Sequence, residues 1–414
     1  MGSKNIFLKS GTTLVVSLLF LVNVSFSQKS NLKIGSWRGT LKLNDSTELP
    51  FNFDVKYNLG IYSVVFHNAD ERIEANEIAL KSDSVFIKMP LFDSEFRCKN
   101  LGDSLKGIWI NHAKKTKNII SFSAKNNESE RFAFQPTKTL LLTERYKVIF
   151  EPGTKDEYFS VGTFTSESGR TKGTFTTETG DYRYLEGVSA NGKFMVSCFD
   201  GSHAFLFTAI KKNDSLIKGV FYSGISGHEN WVAIKDNTFE LRNPDSLTYL
   251  KPGFTRLDFN FKNLEGKPVS LQDEKFKNKV VIIQIMGSWC PNCMDETKFL
   301  ASFNDAYKPK GLEVVALAFE RTDDFAKAVN NIERMKNRFH ANYEFLITMK
   351  TGADQASEAL PMLNKVMAFP TSIYIDKKGI VRKIYTGFYG PATGEKYIQY
   401  VEETKKFVEK LIAE

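Results

Sequence analysis

The residues with the most specific chemistry are Cys290-Pro291-Asn292-Cys293, preceded by Ser288-Trp289. Two thiols at this spacing form a dithiol that can close on itself. The first cysteine attacks another disulfide, and the second resolves the mixed disulfide. The flanking sequence suits that chemistry. Val280-Val281-Ile282-Ile283-Gln284-Ile285-Met286 is an apolar run ahead of the pair, and a helical pattern follows it. A buried strand therefore hands over to a helix at the cysteines. Helix N-termini present unpaired N–H groups and partial positive charge, which favour a thiolate. Pro291 suits a position at or near the first helical residue.

Zinc would need four ligands, usually with a second pair nearby. Cys98 and Cys198 each stand alone far upstream, and His67, His112, His203, His228 and His340 form no H-x-x-x-H pair, so no metal is expected. A purely structural disulfide is the other alternative. The chain has 414 residues, enough for two or three domains, with 42% apolar content and 35 Phe. Its formal charge of +8 is spread out, and no basic cluster interleaves with aromatics, so no nucleic-acid partner is expected. Residues 1–27 read as a signal peptide. Lys4 and Lys9 form a basic start, Leu14 to Val22 a short apolar core, and Ser25-Phe26-Ser27 a small-residue cleavage signal before Gln28. The core is short for a membrane span, and no cysteine offers a lipid anchor. The expectation is an exported, periplasmic chain, soluble after cleavage, with no membrane span in its mature part.

Residues 28–242 show strand patterns and almost no helix. Trp37 to Leu43, Phe51 to Val55, Ile61 to Phe66 and Ser84 to Met89 alternate, and turn formers separate them. A mostly antiparallel all-β region is expected, a sandwich or a barrel, with two units split near residue 136. Asp103-Ser104-Leu105-Lys106-Gly107-Ile108-Trp109 recurs as Asp214-Ser215-Leu216-Ile217-Lys218-Gly219-Val220-Phe221, which fits equivalent hairpins in two related units. No catalytic constellation stands out here. His203 and His228 read as loop residues, and Asp181-Tyr182-Arg183-Tyr184 as core or sheet surface that could also line a pocket. Cys98 and Cys198 are expected as buried free thiols, with a bridge as the alternative.

Asn243-Pro244 and Lys251-Pro252-Gly253 mark a linker over 243–253. Residues 254–414 then alternate strands and helices, as in an α/β fold with a parallel core. Trp289-Cys290-Pro291-Asn292-Cys293, this element order, and Phe369-Pro370-Thr371 opening a strand resemble the thioredoxin superfamily. Phe259-x-Phe261-x-x-Leu264-Glu265-Gly266-Lys267-Pro268-Val269 resembles its redoxin branch, the exported TlpA/ResA-like thiol-disulfide oxidoreductases. The likeness spans about 250–414 and leaves the β region out.

The resemblance implies a thioredoxin-like domain and a protein thiol-disulfide oxidoreductase without a cofactor. Cys290 would be the exposed nucleophile, Cys293 the buried resolving thiol, and Pro370 a cis-proline facing them. Phe369 would offer its backbone to an extended substrate, with Trp289, Pro291 and Asn292 beside it. Glu296, on the same helix face as Cys293, matches an acid that tunes the pair; a solvated first-turn acid is the other reading. Gln284 stands where thioredoxin has a buried acid. The implied partners are disulfide-containing exported proteins, such as apocytochrome c during cytochrome c maturation, and a membrane thiol-disulfide electron donor. Pro291-Asn292 matches neither Gly-Pro nor Pro-His, so the redox direction stays open. A peroxiredoxin would need Pro and Thr before its cysteine, which Met286-Gly287-Ser288-Trp289 lacks. The non-enzyme alternative is a binding module whose redoxin domain is inert or holds Cu(I).

Overall fold

The computed structural model describes residues 1–2, 31–132, 145–167, 170–213 and 215–414. The expected signal peptide and the break near Gln135-Pro136-Thr137 lie outside the described residues.

Nine antiparallel strands run from Gly35–Lys42 to Ile119–Asn126, each hydrogen-bonded to its sequence neighbours except where Glu71–Ala75 and Ile78–Lys81 form the two sheet edges. Gly35–Lys42 pairs with both Glu48–Asn58 and Ile119–Asn126, so the sheet curls almost into a barrel. The second sheet closes fully. Tyr146–Phe150 pairs with Tyr158–Glu167 and with Gly227–Lys235, and Tyr158–Glu167 continues into Arg170–Thr177. The two-residue strand Gly180–Asp181 hangs from Arg170–Thr177 outside the closed ring. Of sandwich and barrel, barrel is therefore the outcome.

The period-2 alternation read from the sequence drives this closure, because every second side chain must leave water. Trp37, Phe51, Phe53, Phe66, Phe96 and Phe122 fill the first barrel. Phe150, Phe164, Phe175, Phe194, Phe207 and Trp231 fill the second. The repeated phrase falls on matching strands, Ser104–Asn111 and Leu216–Ser223, each next to the last of its unit. Its glycine is needed for close approach in both. A Cβ on Gly107 would lie 2.0 Å from the Arg97 carbonyl oxygen, and one on Gly219 would lie 2.3 Å from that of Thr208.

The barrels pack side by side. Phe199 of the second enters the first core, its ring centroid 4.6 Å from Phe51. Asn68 exchanges two hydrogen bonds with the Phe199 backbone, and Arg131 Nη1 donates to the Ser197 carbonyl at 3.1 Å. Cys98 and Cys198 are buried, unbridged thiols belonging to the two different cores. Burial pushes Cys98 up to about 12 and Cys198 well above its usual range.

Residues 243–253 are docked chain. Asn243 caps the short turn Pro244–Ser246, Leu247 and Thr248 are buried, and the Thr248 N–H donates to Thr386 Oγ1 at 3.1 Å. The remaining residues form the thioredoxin-like α/β domain. Its sheet orders Pro268–Ser270, Asn260–Asn263, Glu344–Ile347, Leu312–Ala318, Val280–Met286, Thr371–Ile375 and Val381–Thr386. Val280–Met286 is parallel to Leu312–Ala318 and antiparallel to Thr371–Ile375, and all its residues are buried, as a central strand covered on both faces requires. Helices α1 (Pro291–Tyr307), α2 (Phe325–Phe339), α3 (Gly352–Ala359) and α4 (Glu395–Ala413) complete the layers. Asp324 caps α2, its carboxylate accepting from the Ala326 and Lys327 N–H groups. Thr322 supports that cap, its hydroxyl accepting from the Asp324 N–H at 3.2 Å.

Candidate active site

Strand Val280–Met286 delivers Cys290 to the N-terminus of α1. Cys290 is the N-cap: its Sγ accepts from the Cys293 N–H at 3.3 Å, and Pro291 takes the first helical position, where an amide hydrogen has no partner to lose. Cys290 Sγ also lies 3.4 Å from the Phe369 carbonyl oxygen. The Phe369–Pro370 bond is cis. Cys290 is 6% exposed, so the expected exposed nucleophile is in fact largely covered, and Cys293 is fully buried behind it. Burial, then the hydrogen bond and charge of Cys290, push the Cys293 thiol well above its usual range, so it holds its proton until chemistry removes it.

A buried polar strand residue must find partners, and those of Gln284 define the floor of the site. Its Nε2 donates to Glu296 Oε2 at 2.9 Å, and Ser372 Oγ donates to Glu296 Oε1, also at 2.9 Å. Glu296 is fully buried. Desolvation pushes its carboxyl up to about 7, against the hydrogen bonds from Ser372, Gln284 and Tyr400. The solvated first-turn reading of Glu296 is thus overturned. Gln284 itself cannot titrate, but it holds a carboxyl that can.

Residues 251–397 match the Redoxin family. The thiol-disulfide oxidoreductase ResA of Bacillus thuringiensis is 30% identical over 146 residues, which cover 35% of this chain and 74% of that relative. The chain belongs to the ResA-like thiol-disulfide oxidoreductases of the thioredoxin superfamily. The ResA of Geobacillus thermodenitrificans is 29% identical over 158 residues, covering 38% of this chain and 80% of its own. Thioredoxin-like protein YneN of Bacillus subtilis is 29% identical over 131 residues, covering 31% and 68%. Among solved structures, a thiol-disulfide oxidoreductase from Bacteroides fragilis is 16% identical with a TM-score of 0.28, covering 36% of this chain and 99% of its own. The match with the Redoxin family begins after both barrels.

The barrels nevertheless reach the ResA-like motif residue by residue. Arg183 Nη1 donates to the Pro291 carbonyl at 3.0 Å and pairs with Asp295, the fifth residue of α1. The same guanidinium pairs with Glu71 of the first barrel and lies 3.4 Å from Asp200 of the second. Asn292 Nδ2 donates to the Asp181 carbonyl at 3.2 Å, Ser202 Oγ donates to the Trp289 carbonyl at 3.3 Å, and the Gly390 N–H donates to Asp181 Oδ2 at 2.7 Å. Burial alone would lower Arg183, but the charges of Asp295, Glu71 and Asp200 carry it well above its usual range, so it stays charged. One guanidinium does not neutralise all these acids. Burial therefore keeps Asp295 up at about 7 despite Arg183, with Glu71 and Asp181 adding negative charge.

A cavity of about 1130 Å³ opens where the two barrels and the redoxin domain meet, and Cys290 forms part of its wall. Trp289, Pro291, Asn292 and Phe369 all line it, but the polar groups of Pro291 and Asn292 are already bonded to the second barrel. Trp289 stands edge-on to Phe369, with ring centroids 5.4 Å apart, and its Nε1 donates to the Phe319 carbonyl at 2.9 Å. Beneath it, Glu320 accepts from the Ser288 N–H at 2.7 Å and from Ser288 Oγ at 2.6 Å. Pro370, also predicted as a site residue, is buried beside Phe369.

Sequence reasoning missed Arg183, Asp295, Glu320 and the cavity role of His203. Asp181-Tyr182-Arg183-Tyr184 carried a pocket signal, but nothing in it pointed to the cysteine helix. No catalytic constellation stands out in the sequence of the β region, yet its two barrels supply much of the cavity wall, Asp181 and Tyr182 among the lining residues.

Proposed function

We propose that this is an exported protein disulfide reductase that works through a mixed disulfide on Cys290. The observation carrying this reading is the asymmetry of the pair: Cys290 faces the cavity beside the Phe369 carbonyl, and Cys293 is sealed behind it. The Cys290 thiolate attacks one sulfur of a substrate disulfide. That S–S bond breaks, and the first substrate sulfur leaves as a thiolate that takes up a proton. Cys293 then loses its proton and attacks Cys290, breaking the mixed disulfide and releasing the second substrate sulfur. Two electrons pass to the substrate, whose two sulfurs take up one proton from water and one released from Cys293 by way of Glu296, and Cys290–Cys293 becomes the disulfide. Glu296 accepts the proton of Cys293 in the second step, and the Phe369 backbone seats the substrate as an added extended strand.

A second dithiol must reduce the pair again; a membrane thiol-disulfide donor is the partner this requires. Disulfide-containing exported proteins are the substrates, apocytochromes c among them by family likeness. Among the described residues, no helix is long and apolar enough to cross a membrane. The reading is tested with C293S, which should accumulate a mixed disulfide detectable by mass spectrometry, while C290S should trap none. A C293S protein that captures nothing from a disulfide substrate would overturn it. Equilibration with a glutathione series then sets direction. A potential near or below about −250 mV marks a reductant, and one near about −120 mV a disulfide donor, which would end the cytochrome reading.

A further inference from the structure

The charges around the cavity are unevenly matched. Its carboxylates are all engaged: Asp93 with Lys327, Glu178 with Arg242, and Glu240 with Arg145. Asp181 and Glu157 accept from the Gly390 and Gly153 N–H groups, and Glu320 holds Ser288. His112 sits 3.1 Å from Glu95, and His203 3.2 Å from Asp200. Two lining cations are left, Lys114 from the first barrel and Arg321 from the loop after strand Leu312–Ala318. Among the described residues neither has a carboxylate within ion-pair distance.

Both cations line the cavity that Cys290 also lines. Arg321 lies flat on Trp289, its guanidinium carbon 3.6 Å from the ring centroid. Burial lowers Lys114, and the charge of Arg321 lowers it further, so the two repel each other. Burial also lowers Arg321, opposed by its attraction to Cys290 and Glu320. Two like charges from different domains, neither in an ion pair among the described residues, form a site that an incoming anion completes. Tyr158, Phe159, Tyr182 and Phe205 of the second barrel also line the cavity and offer an aromatic surface.

We propose that Lys114 and Arg321 select substrates, and that the preferred one is a disulfide-bearing peptide segment with a carboxylate side chain next to its cysteine. This rests on the dithiol reading above. The acid sits between the two cations, which places the neighbouring sulfur at Cys290, and an apolar residue on the other side meets the aromatic wall.

The test uses disulfide peptides that differ only in one residue beside the cysteine, Glu, Gln or Lys, and the reduced full-length protein. Reduction is followed by Trp289 fluorescence in stopped flow. The wild type should reduce the Glu peptide about five- to tenfold faster in kcat/KM than the Lys peptide at low salt, with Gln between, and the preference should shrink at high salt. The K114Q/R321Q double variant should lose the Glu-to-Lys ratio, and K114R/R321K should keep it. Both positions retain solvent access, so the variants should fold. Equal rates across the three peptides in the wild type, or a preference that survives in K114Q/R321Q, would overturn the proposal. Failure to reduce even the Gln peptide would remove the dithiol reading itself, and this proposal with it.

Discussion

Replacing Glu296 by Gln should make stability at neutral and higher pH better than the wild type by an amount the structure sets. The carboxyl is fully buried and sits at about 7 rather than 4.5. Below pH 4.5 the folded and unfolded chains both carry the proton, and the group costs nothing. Between 4.5 and 7 the unfolded chain releases it while the folded chain keeps it, so folding loses stability as pH rises. Above 7 both forms are ionised and the cost levels off. At 1.36 kcal/mol per pH unit, the plateau is about 3 kcal/mol. The E296Q variant has no such dependence. Its new amide can replace the carboxylate if the Gln284 amide turns over, because the Thr297 and Tyr343 hydroxyls around it both donate and accept.

Urea unfolding of wild type and E296Q at pH 5 and pH 8 reads this directly. The stability difference, E296Q minus wild type, should grow by about 2–3 kcal/mol between the two pH values. A difference independent of pH would refute a buried carboxyl titrating near neutrality. The same pair of proteins separates structure from chemistry. If Glu296 accepts the proton of Cys293, the rate of mixed-disulfide resolution should rise through pH 7 in the wild type and lose that midpoint in E296Q.

Three further outcomes follow from the same physics. R183M leaves Asp295, Glu71 and Asp200 around an apolar side chain, so it should cost about 3–5 kcal/mol in urea unfolding. G107A forces a Cβ to within 2.0 Å of the Arg97 carbonyl and should destabilise by about 1–3 kcal/mol or more. G227A, whose Cβ meets nothing closer than 3.7 Å, should stay within about 0.5 kcal/mol. E320A strips the Ser288 N–H and hydroxyl of their acceptor, which should cost about 1–3 kcal/mol and shift Trp289 emission as the loop beneath it loosens.

What the sequence made legible follows from the range of the interactions involved. The cysteine motif, its strand and its helix are local, so periodicity and the run Val280 to Met286 were enough to place them. The barrels announced themselves as alternation, but alternation states only which faces are buried. Closure depends on whether Tyr146–Phe150 meets both Tyr158–Glu167 and Gly227–Lys235, and that pairing spans most of a domain. Arg183 and Asp295 are still further apart, 112 positions, and their encounter needs a third surface carrying Glu71. Helix α3 ends at Ala359, because Leu360 leaves helical geometry to enter the core against strand Val280–Met286.

Those long-range contacts change what the motif can do. In an isolated redoxin domain Cys290 would open towards bulk solvent. Here the carbonyls of Trp289 and Pro291 and the side chain of Asn292 are held by residues 181–202, and the approach to the sulfur runs through a cavity with three walls. In the proposed reaction an extended segment enters this cavity with the barrels in place, and a bulkier substrate would require them to move. The ion pairs centred on Arg183 oppose that movement, since separating the barrels from α1 would leave buried carboxylates without their cation. In the reaction proposed above, the β region acts by limiting which disulfides reach the cavity, while the exchange stays on Cys290 and Cys293.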